Sequence, residues 1–200
     1  MKAIIFDIGS VLVSFNYPDF LKHLGYSEAV QKELDVIKEG GPFWQKMDRG
    51  LMTEEEGLKI YLDMIPTYKK EAEYAFTHMA YYMEEITPTS RFLRAAKAKG
   101  YQVYYLSNYS HRNWEIIFER FDFFRLFDGG VVSYQVHQVK PDAEIYQTLL
   151  GKYGLAPENT LFIDDRENNI RAAEKLGIHT LWLKPDTDLF AETAELGFGV

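Results

Sequence analysis

Residues 3–9, Ala-Ile-Ile-Phe-Asp-Ile-Gly, decide the fold class of this chain. A short continuous apolar run predicts a strand buried on both faces, as in a parallel sheet that helices cover. The run ends at Asp7 and Gly9, and aspartate and glycine are typical of a turn directly after a strand. The stretch therefore predicts the first strand of an α/β domain, with a carboxylate at its carboxyl end.

The chain from Thr87 onward continues this pattern. Four apolar strand patterns alternate with four helical patterns, the strands near residues 101–106, 130–133, 161–163 and 178–183, and the helices near residues 88–99, 111–121, 142–153 and 167–176. Strands that alternate with helices of this length predict βαβ units. We expect an α/β core with a mainly parallel, Rossmann-like sheet.

Residues 15–86 lack strand signals and carry helical patterns instead. Thr53 and Glu56 stand at the spacing of a capping box, in which each side chain satisfies a free backbone N–H at a helix start. Breaks at Gly40-Gly41-Pro42 and at Pro66-Thr67 divide the segment into about four helices. The segment is predicted to be a small all-helical cap.

The two patterns together divide the chain of 200 residues into two parts. Residues 1–14 and 87–200 would form the α/β core, and residues 15–86 would be the helical cap inserted after the first strand. A chain of this length is long enough to bury a substantial hydrophobic core.

Composition narrows the function classes. A net charge of −8 argues against a nucleic-acid or anionic membrane partner, since both usually require a basic surface. The chain has no cysteine, which excludes disulfides, thiolate metal sites and cysteine nucleophiles. Its start has only four apolar residues before Asp7, too few for a secretory signal or for the roughly 20 residues of a membrane span. We expect a cytoplasmic protein without a membrane or nucleic-acid partner.

Polar residues follow each of the first four predicted core strands. Asp7 follows the first strand, Ser107-Asn108 the second and Asp164-Asp165 the fourth, while Lys140 follows the third after a short loop. Ligands of open α/β sheets bind at the carboxyl ends of the strands. These side chains are therefore predicted to meet at one edge of the sheet.

Each of these residues also has an ordinary structural explanation when taken alone. Asp7 fits a turn, Asp164-Asp165 fit a helix N-terminus, and Lys140 fits an exposed surface. Taken together they favour a site, because two adjacent acids that face a third repel one another unless a cation is present. Hard oxygen ligands of this kind suit Mg²⁺, which also binds substrate phosphate.

In its order of motifs the sequence resembles the haloacid dehalogenase-like superfamily. Four short segments carry the resemblance: Phe6-Asp7-Ile8-Gly9-Ser10-Val11-Leu12, Leu106-Ser107-Asn108, Lys140-Pro141 and Phe162-Ile163-Asp164-Asp165. Within the superfamily it looks most similar to sugar-phosphate phosphatases of the α-glucose-1-phosphate phosphatase type and to the phosphatase domain of soluble epoxide hydrolases. The helical insertion is similar to the type 1 cap of that family.

The resemblance implies a phosphatase that uses Mg²⁺. Asp7 would be the nucleophile and would form an aspartyl-phosphate that water then hydrolyses. Asp7, the backbone carbonyl of Gly9 and Asp165 would hold the metal, with Asp164 assisting directly or through water. Ala172-Ala173 match the small pair after the fourth motif of the family, and this alignment makes Asp165 the principal acidic ligand.

The resemblance also implies a phosphate site. Ser107 and the backbone of Asn108 would bind the phosphoryl oxygens, and Lys140 would neutralise charge on the phosphate and on Asp7. Arg49, in a short turn before the capped helix, is a candidate for contacting substrate from the cap. The substrate implied is a small phosphorylated metabolite of the sugar-phosphate kind.

One position departs from the pattern of many phosphatases in the superfamily. They carry a second aspartate two residues after the nucleophile as general acid and base, and this chain has Gly9 there. Three alternatives therefore stay open beside the phosphatase: a non-catalytic binding or regulatory protein on the same fold, a metal-free 2-haloacid dehalogenase that also uses Asp7, and a phosphomutase. Asp164-Asp165 oppose the dehalogenase, and Gly9 disfavours the mutase.

Overall fold

The computed structural model describes residues 2–36 and 42–200, so the predicted break at Gly40-Gly41 lies outside the described residues. Its strands are β1 (Ala3–Phe6), β2 (Val13–Ser14), β3 (Glu84–Glu85), β4 (Gln102–Ser107), β5 (Gly129–Val132), β6 (Thr160–Asp164) and β7 (His179–Trp182). The helices are α1 (Tyr17–His23), α2 (Glu28–Leu34), α3 (Pro42–Asp48), α4 (Glu54–Asp63), α5 (Lys69–His78), α6 (Thr87–Ala98), α7 (His111–Arg120), α8 (Ser133–Val136), α9 (Ala143–Tyr153), α10 (Glu167–Glu174) and α11 (Leu189–Glu195). Short 3₁₀ turns connect several of them.

Five strands form one parallel sheet in the order β5-β4-β1-β6-β7. The predicted α/β class and its parallel Rossmann-like sheet are confirmed. Central strand β1 is fully buried, as its continuous apolar run predicts, and β4 and β6 pair with it on either side. This arrangement brings the carboxyl ends of β4 and β6 next to Asp7.

The two faces of the sheet bury separate hydrophobic clusters. Side chains alternate along a strand, so Ile4 and Phe6 join the cluster that includes residues of α6, α7 and α11. Ala3 and Ile5 point to the other face and join residues of α9 and α10. Helices on both faces explain why β1 has no polar side chain within it.

A third hydrophobic cluster lies within the segment between β2 and β3. Helices α1 to α5 build it, with Phe20, Leu34, Tyr61 and Phe76 among its buried residues. The helical cap is thus observed, and the capping box at the start of α4 is present as predicted. The boundaries at residues 15 and 86 stay a prediction.

The expected number of about four cap helices was wrong for the described residues, which contain five. The missed division separates α1 from α2 around Gly25, whose φ of 73° lies in the left-handed region that favours glycine. Ser27 then begins α2, because its side chain accepts a hydrogen bond from the backbone N–H of Val30. Both residues are ordinary helix stop and start signals.

The insertion leaves and re-enters the core through a small antiparallel pair. Strand β2 pairs with β3, with Val13 opposite Glu85 and Ser14 opposite Glu84. The sequence analysis did not predict this pair, since two residues per strand give no periodic signal. It holds the two ends of the helical segment side by side.

Among the described residues, the model has no helix with both the length and the apolar character needed to cross a membrane.

Candidate active site

Asp7 lies buried at the carboxyl end of β1, with 6% of the residue exposed. Its Oδ1 atom accepts a hydrogen bond of 2.7 Å from the Ser107 hydroxyl and lies 2.9 Å from the Lys140 ammonium. The backbone N–H of Ile8 also donates to Oδ1. Among the described residues, no hydrogen bond reaches Oδ2, so this second oxygen is free to act on a ligand.

Lys140 is 5% exposed and joins two of the acids. Its ammonium lies 2.9 Å from the Asp7 carboxylate and 2.7 Å from that of Asp164. The side chain of Asn108 holds the Lys140 backbone in place, because its amide donates to the Lys140 carbonyl (3.0 Å) and its oxygen accepts from the Lys140 N–H (2.9 Å). The loop after β4 thereby positions the lysine.

Asp164 is fully buried at the end of β6 and is held by several donors. Its two carboxylate oxygens accept hydrogen bonds from the amide of Asn169 at 3.1 and 3.0 Å, and Oδ1 also accepts from the backbone N–H of Arg166. Asn169 stands in the first turn of α10, where it faces back to the strand end. Together with Lys140 these contacts fix the Asp164 side chain.

The carboxylate of Asp165, unlike that of Asp164, is not held by donors from other described residues. It is partly buried, and no hydrogen bond from another described residue reaches its carboxylate. Its carbonyl oxygen accepts a hydrogen bond of 3.0 Å from the indole N–H of Trp182, which fixes the backbone of this loop. Asp165 therefore offers a carboxylate that the surrounding residues have not already used.

Asp7, Asp164 and Asp165 each place a carboxylate oxygen within 4.8 Å of one another. Three carboxylates against the one ammonium of Lys140 leave this cluster short of two positive charges. Burial raises the pKa of Asp7, although Lys140 opposes the shift. Burial and the adjacent Asp164 raise the pKa of Asp165. Burial alone would lower the pKa of Lys140, but Asp7 and Asp164 outweigh it and raise that pKa.

The backbone at Gly9 does not require glycine. Its φ is not among the left-handed values of the chain, and a Cβ at this position would meet only the ring of Tyr109, at 3.7 Å from its hydroxyl. A Cβ would therefore fit beside Asp7, in contact with Tyr109. Burial, together with Asp7 and Asp48, raises the pKa of the Tyr109 hydroxyl, which therefore stays protonated.

The cap reaches the site through the turn after α3. The Arg49 guanidinium forms an ion pair of 2.7 Å with Asp142, two residues after Lys140. The Arg49 carbonyl lies 2.8 Å from Nδ1 of His137. Gly50 packs against the core so closely that a Cβ there would lie 2.5 Å from the Tyr134 carbonyl oxygen. This turn fixes the cap to the loop that carries Lys140.

Comparison with protein families identifies the family to which the chain belongs. The model of the haloacid dehalogenase-like hydrolase family matches residues 1–177. The chain belongs to the haloacid dehalogenase-like hydrolase family. As a member of that family it is a hydrolase, and the superfamily resemblance of its motifs is confirmed.

Several curated proteins are similar to this HAD-like hydrolase. It is 27% identical to the sesquiterpene phosphatase astK of Aspergillus oryzae, over 98% of this chain and 94% of that protein. It is 27% identical to a D-ribitol-5-phosphate phosphatase of Bacteroides thetaiotaomicron, over 90% of each. Against the drimenol cyclase drtB of Aspergillus calidoustus the identity is also 27%, but the chain spans only 38% of that longer protein.

Solved structures share the fold. A crystal structure of a HAD family enzyme from Bacteroides thetaiotaomicron, in complex with magnesium and inorganic phosphate, has a TM-score of 0.77 at 23% identity, covering 96% of this chain and 98% of that one. A dehalogenase structure has a TM-score of 0.74 at 17% identity, covering 94% and 87%. At these identities the likeness is one of fold.

The HAD-like core brings most of the sequence-predicted site residues together. Six of them form one connected cluster: Asp7, Ser107, Asn108, Lys140, Asp164 and Asp165. Gly9 lies two residues from Asp7, in the turn after β1. Arg49 lies at the cap edge of the site and is paired with Asp142. The roles assigned to these residues stay predictions.

Sequence reasoning missed the residue that holds Asp164. Asn169 is one of two adjacent asparagines at the start of α10, and a buried asparagine near a helix N-terminus, five residues after an acid, is the signal that could have identified it. Asp142 was also missed as the partner of Arg49. No sequence pattern indicates this pair, because 93 residues separate its members.

Proposed function

We propose that this protein is a magnesium-dependent phosphatase of small phosphorylated metabolites that works through an aspartyl-phosphate on Asp7. One observation carries the proposal: three carboxylates lie within 4.8 Å of one another at the end of the sheet, with a single buried ammonium among them. Buried carboxylates in such excess require compensation. A divalent cation would supply the two missing positive charges.

The donor set fits Mg²⁺. The ion prefers hard oxygen ligands and binds through one or two carboxylates together with substrate phosphate. Asp7 and Asp165 each have a carboxylate oxygen without a described hydrogen bond, and the Gly9 carbonyl is the proposed third ligand. Asp164 would assist directly or through water, since Asn169 and Lys140 already hold its oxygens. When bound, the metal would neutralise charge on the transferring phosphoryl group.

The residues of the chain would perform the transfer. Ser107 and Lys140 both bind Oδ1 of Asp7, which orients the carboxylate for attack on phosphorus. In the reaction Ser107 and the backbone of Asn108 would also bind phosphoryl oxygens. Lys140 would balance the negative charge that gathers between the phosphate and Asp7, a preorganised form of stabilisation that is usually the largest catalytic contribution.

The relatives and the cap support a class of substrate. Besides the ribitol phosphatase, a phosphorylated carbohydrates phosphatase of Thermotoga maritima is 26% identical over 91% of this chain. These names support a phosphorylated sugar or polyol. Arg49 would contact such a substrate with the guanidinium N–H groups that Asp142 does not use. A net charge of −8 argues against a nucleic-acid partner, and a cytoplasmic location stays a prediction.

A 2-haloacid dehalogenase is the second candidate function. An (S)-2-haloacid dehalogenase of Pseudomonas fluorescens is 28% identical over 59% of this chain, and such an enzyme would use the same nucleophilic Asp7. A metal-free site gains nothing from Asp165, whose carboxylate lies beside two others without a described partner. The acidic cluster therefore favours the phosphatase over the dehalogenase.

The test is hydrolysis by the purified protein. With Mg²⁺ it should release phosphate from p-nitrophenyl phosphate or from a member of a sugar-phosphate panel, and EDTA should stop the release. Asp7→Asn should keep the fold, because Lys140 stays paired with Asp164, and should lose turnover. Asp63→Asn, at an exposed cap position, is the control that should retain activity. Full activity of Asp7→Asn, or phosphate release in EDTA, would refute the mechanism; hydrolysis of a 2-haloacid alone would favour the dehalogenase.

A further inference from the structure

Helix α7 begins three residues after Asn108 of the proposed phosphate site, and its first turn receives a hydrogen bond from the cap. The backbone N–H of Arg112, the second residue of α7, donates to Oε1 of Glu54 at 2.8 Å. Glu54 is the first residue of cap helix α4, 58 residues earlier in the chain. The first N–H groups of a helix have no partner within it, and the side chain of the residue before the helix usually satisfies one of them. Here a side chain of the cap does so.

The residue before α7, Ser110, has the backbone of a helix cap but does not act as one. Its φ of −73° and ψ of 156° are close to those of Ser27 (−63°, 160°) and Thr53 (−75°, 163°), whose side chains cap α2 and α4. Ser110 is 2% exposed, and its hydroxyl has no hydrogen-bond partner among the described residues. A buried hydroxyl without a partner is unfavourable, so a hydrogen bond to a helix N–H would be a gain for Ser110.

Glu54 and Ser110 compete for the same N–H group. A side chain directly before a helix accepts from the second or third residue of that helix. The second residue of α7 is Arg112, whose N–H Glu54 already holds. If Glu54 withdraws, rotation of the Ser110 side chain brings its oxygen to this N–H. The two acceptors are therefore alternatives, one supplied by the cap and the other by the core.

The buried residues of the site need an opening before a substrate can reach them. Asp7, Ser107 and Lys140 are each at most 6% exposed. The cap has a hydrophobic cluster of its own, and the short pair of β2 and β3 joins it to the core. Its turn after α3 contacts the core through the exposed ion pair of Arg49 and Asp142, and a screened pair of this kind separates at little cost. The cap turn is therefore a part of the cover that can move away.

We propose that the start of α7 is a switch that follows the position of the cap. With the cap turn against the core, Glu54 caps α7 and the Ser110 hydroxyl is unpaired. When the cap turn moves away, Ser110 takes the N–H of Arg112 and the helix stays capped. The exchange keeps the cost of opening low and holds the loop of Ser107 and Asn108 in place at both positions of the cap. The switch concerns the helix and not the reaction, so it stands or falls apart from the phosphatase proposal.

Hydrogen exchange of the Arg112 amide, measured by NMR, tests the switch in Glu54→Ala, Ser110→Ala and the double variant. Glu54→Ala should exchange as slowly as the wild type, because Ser110 replaces the lost acceptor. Ser110→Ala should exchange faster, since each opening then leaves the N–H uncapped. The double variant should exchange fastest, about 5-fold above Glu54→Ala, the typical effect of losing a helix cap. In urea, its equilibrium constant of unfolding should exceed the product of the two single changes by about 5-fold.

Two matched variants serve as controls. Glu54→Gln keeps an acceptor oxygen, so combined with Ser110→Ala it should exchange like Ser110→Ala alone. Glu55→Ala removes the exposed neighbouring acid of α4 and should leave the exchange of the Arg112 amide unchanged. Three results would each overturn the switch: exchange in Glu54→Ala as fast as in the double variant, exchange in Ser110→Ala no faster than in the wild type, or unfolding constants that simply multiply.

Discussion

The core and the cap hold their polar side chains in different ways. At the end of the sheet, Asp7, Lys140 and Asp164 are each at most 6% exposed and are joined by contacts of 2.7 and 2.9 Å. The cap turn meets the core through the pair of Arg49 and Asp142, whose side chains are 36% and 42% exposed. Solvent screens the second pair but not the first cluster.

This difference indicates that the buried core residues tolerate little change, whereas the exposed pair of the cap turn tolerates more. Breaking a buried charge pair leaves an uncompensated charge and is strongly destabilising, whereas an exposed pair contributes about 0–1 kcal/mol. The core site is therefore part of the stability of the fold. The exposed pair of Arg49 and Asp142 in the cap turn can change at little cost in stability, which suits the part of the protein that would meet different substrates.

Replacing the buried lysine should produce the largest effect. Lys140→Met leaves Asp7 and Asp164 facing each other without their cation, so the free energy of unfolding should fall by about 3–5 kcal/mol in EDTA. Excess Mg²⁺ should restore part of it, because an ion that binds only the folded state stabilises that state. Urea unfolding with EDTA and with Mg²⁺ measures both changes.

Lys97→Met is the matched control for that variant. Its ammonium pairs with Asp128 at the surface, where each side chain is 34% exposed, and the loss should stay near 1 kcal/mol or below. If the free energy of unfolding falls by the same amount in the two lysine variants, the contrast between the buried and the exposed pairs is wrong.

Removing the asparagine that supports Asp164 should have an intermediate effect. Asn169→Leu takes away one donor from each Asp164 oxygen, and a hydrogen bond to a charged group contributes about 1.5–3 kcal/mol. The Mg²⁺ concentration for half-maximal activity should rise about 10–100-fold, as for other groups that orient metal ligands. Asn168→Leu, at the exposed neighbouring position, should leave that concentration nearly unchanged. A similar rise in both variants would exclude a specific role for Asn169.

The smallest stability effect is expected at the cap turn. Arg49→Ala and Asp142→Asn both break the exposed pair, and each should change the free energy of unfolding by about 1 kcal/mol or less. If Arg49 also contacts substrate, Arg49→Ala should raise KM well above the value for Asp142→Asn. Steady-state kinetics on the best sugar phosphate measures the two values, and equal KM increases would limit Arg49 to holding the cap.

The grouping of the core site residues could be predicted from the sequence because the parallel sheet fixes it. A parallel sheet places residues at strand ends side by side, so the positions of Asp7, Ser107 and Asp164 along the chain are sufficient to bring them together. The strand and helix patterns after residue 87 match the observed elements to within a few residues. The apolar patterns are strong there, since the helices pack one face on the sheet and the central strand β1 is buried on both faces.

The remaining features depend on contacts between distant segments. Asp142 becomes the partner of Arg49 only when the cap turn meets the loop after Lys140. The division at Gly25 was missed although its signals are present, since a glycine within helical patterns has several interpretations. Sequence patterns describe local structure, and these features are not local.

The pairing of β2 with β3 makes the helical insertion a natural module for engineering. Its entry and exit points are held side by side by a short backbone ladder, and Val13 of that ladder is buried in a hydrophobic cluster of the sheet. A foreign helical segment with ends at the same spacing could be grafted between Ser14 and Glu84 if it also replaced Ala80 and Met83, the two buried residues that this segment contributes to the core cluster. The nucleophile and its lysine would then be kept, while the transplanted cap would supply a new substrate range.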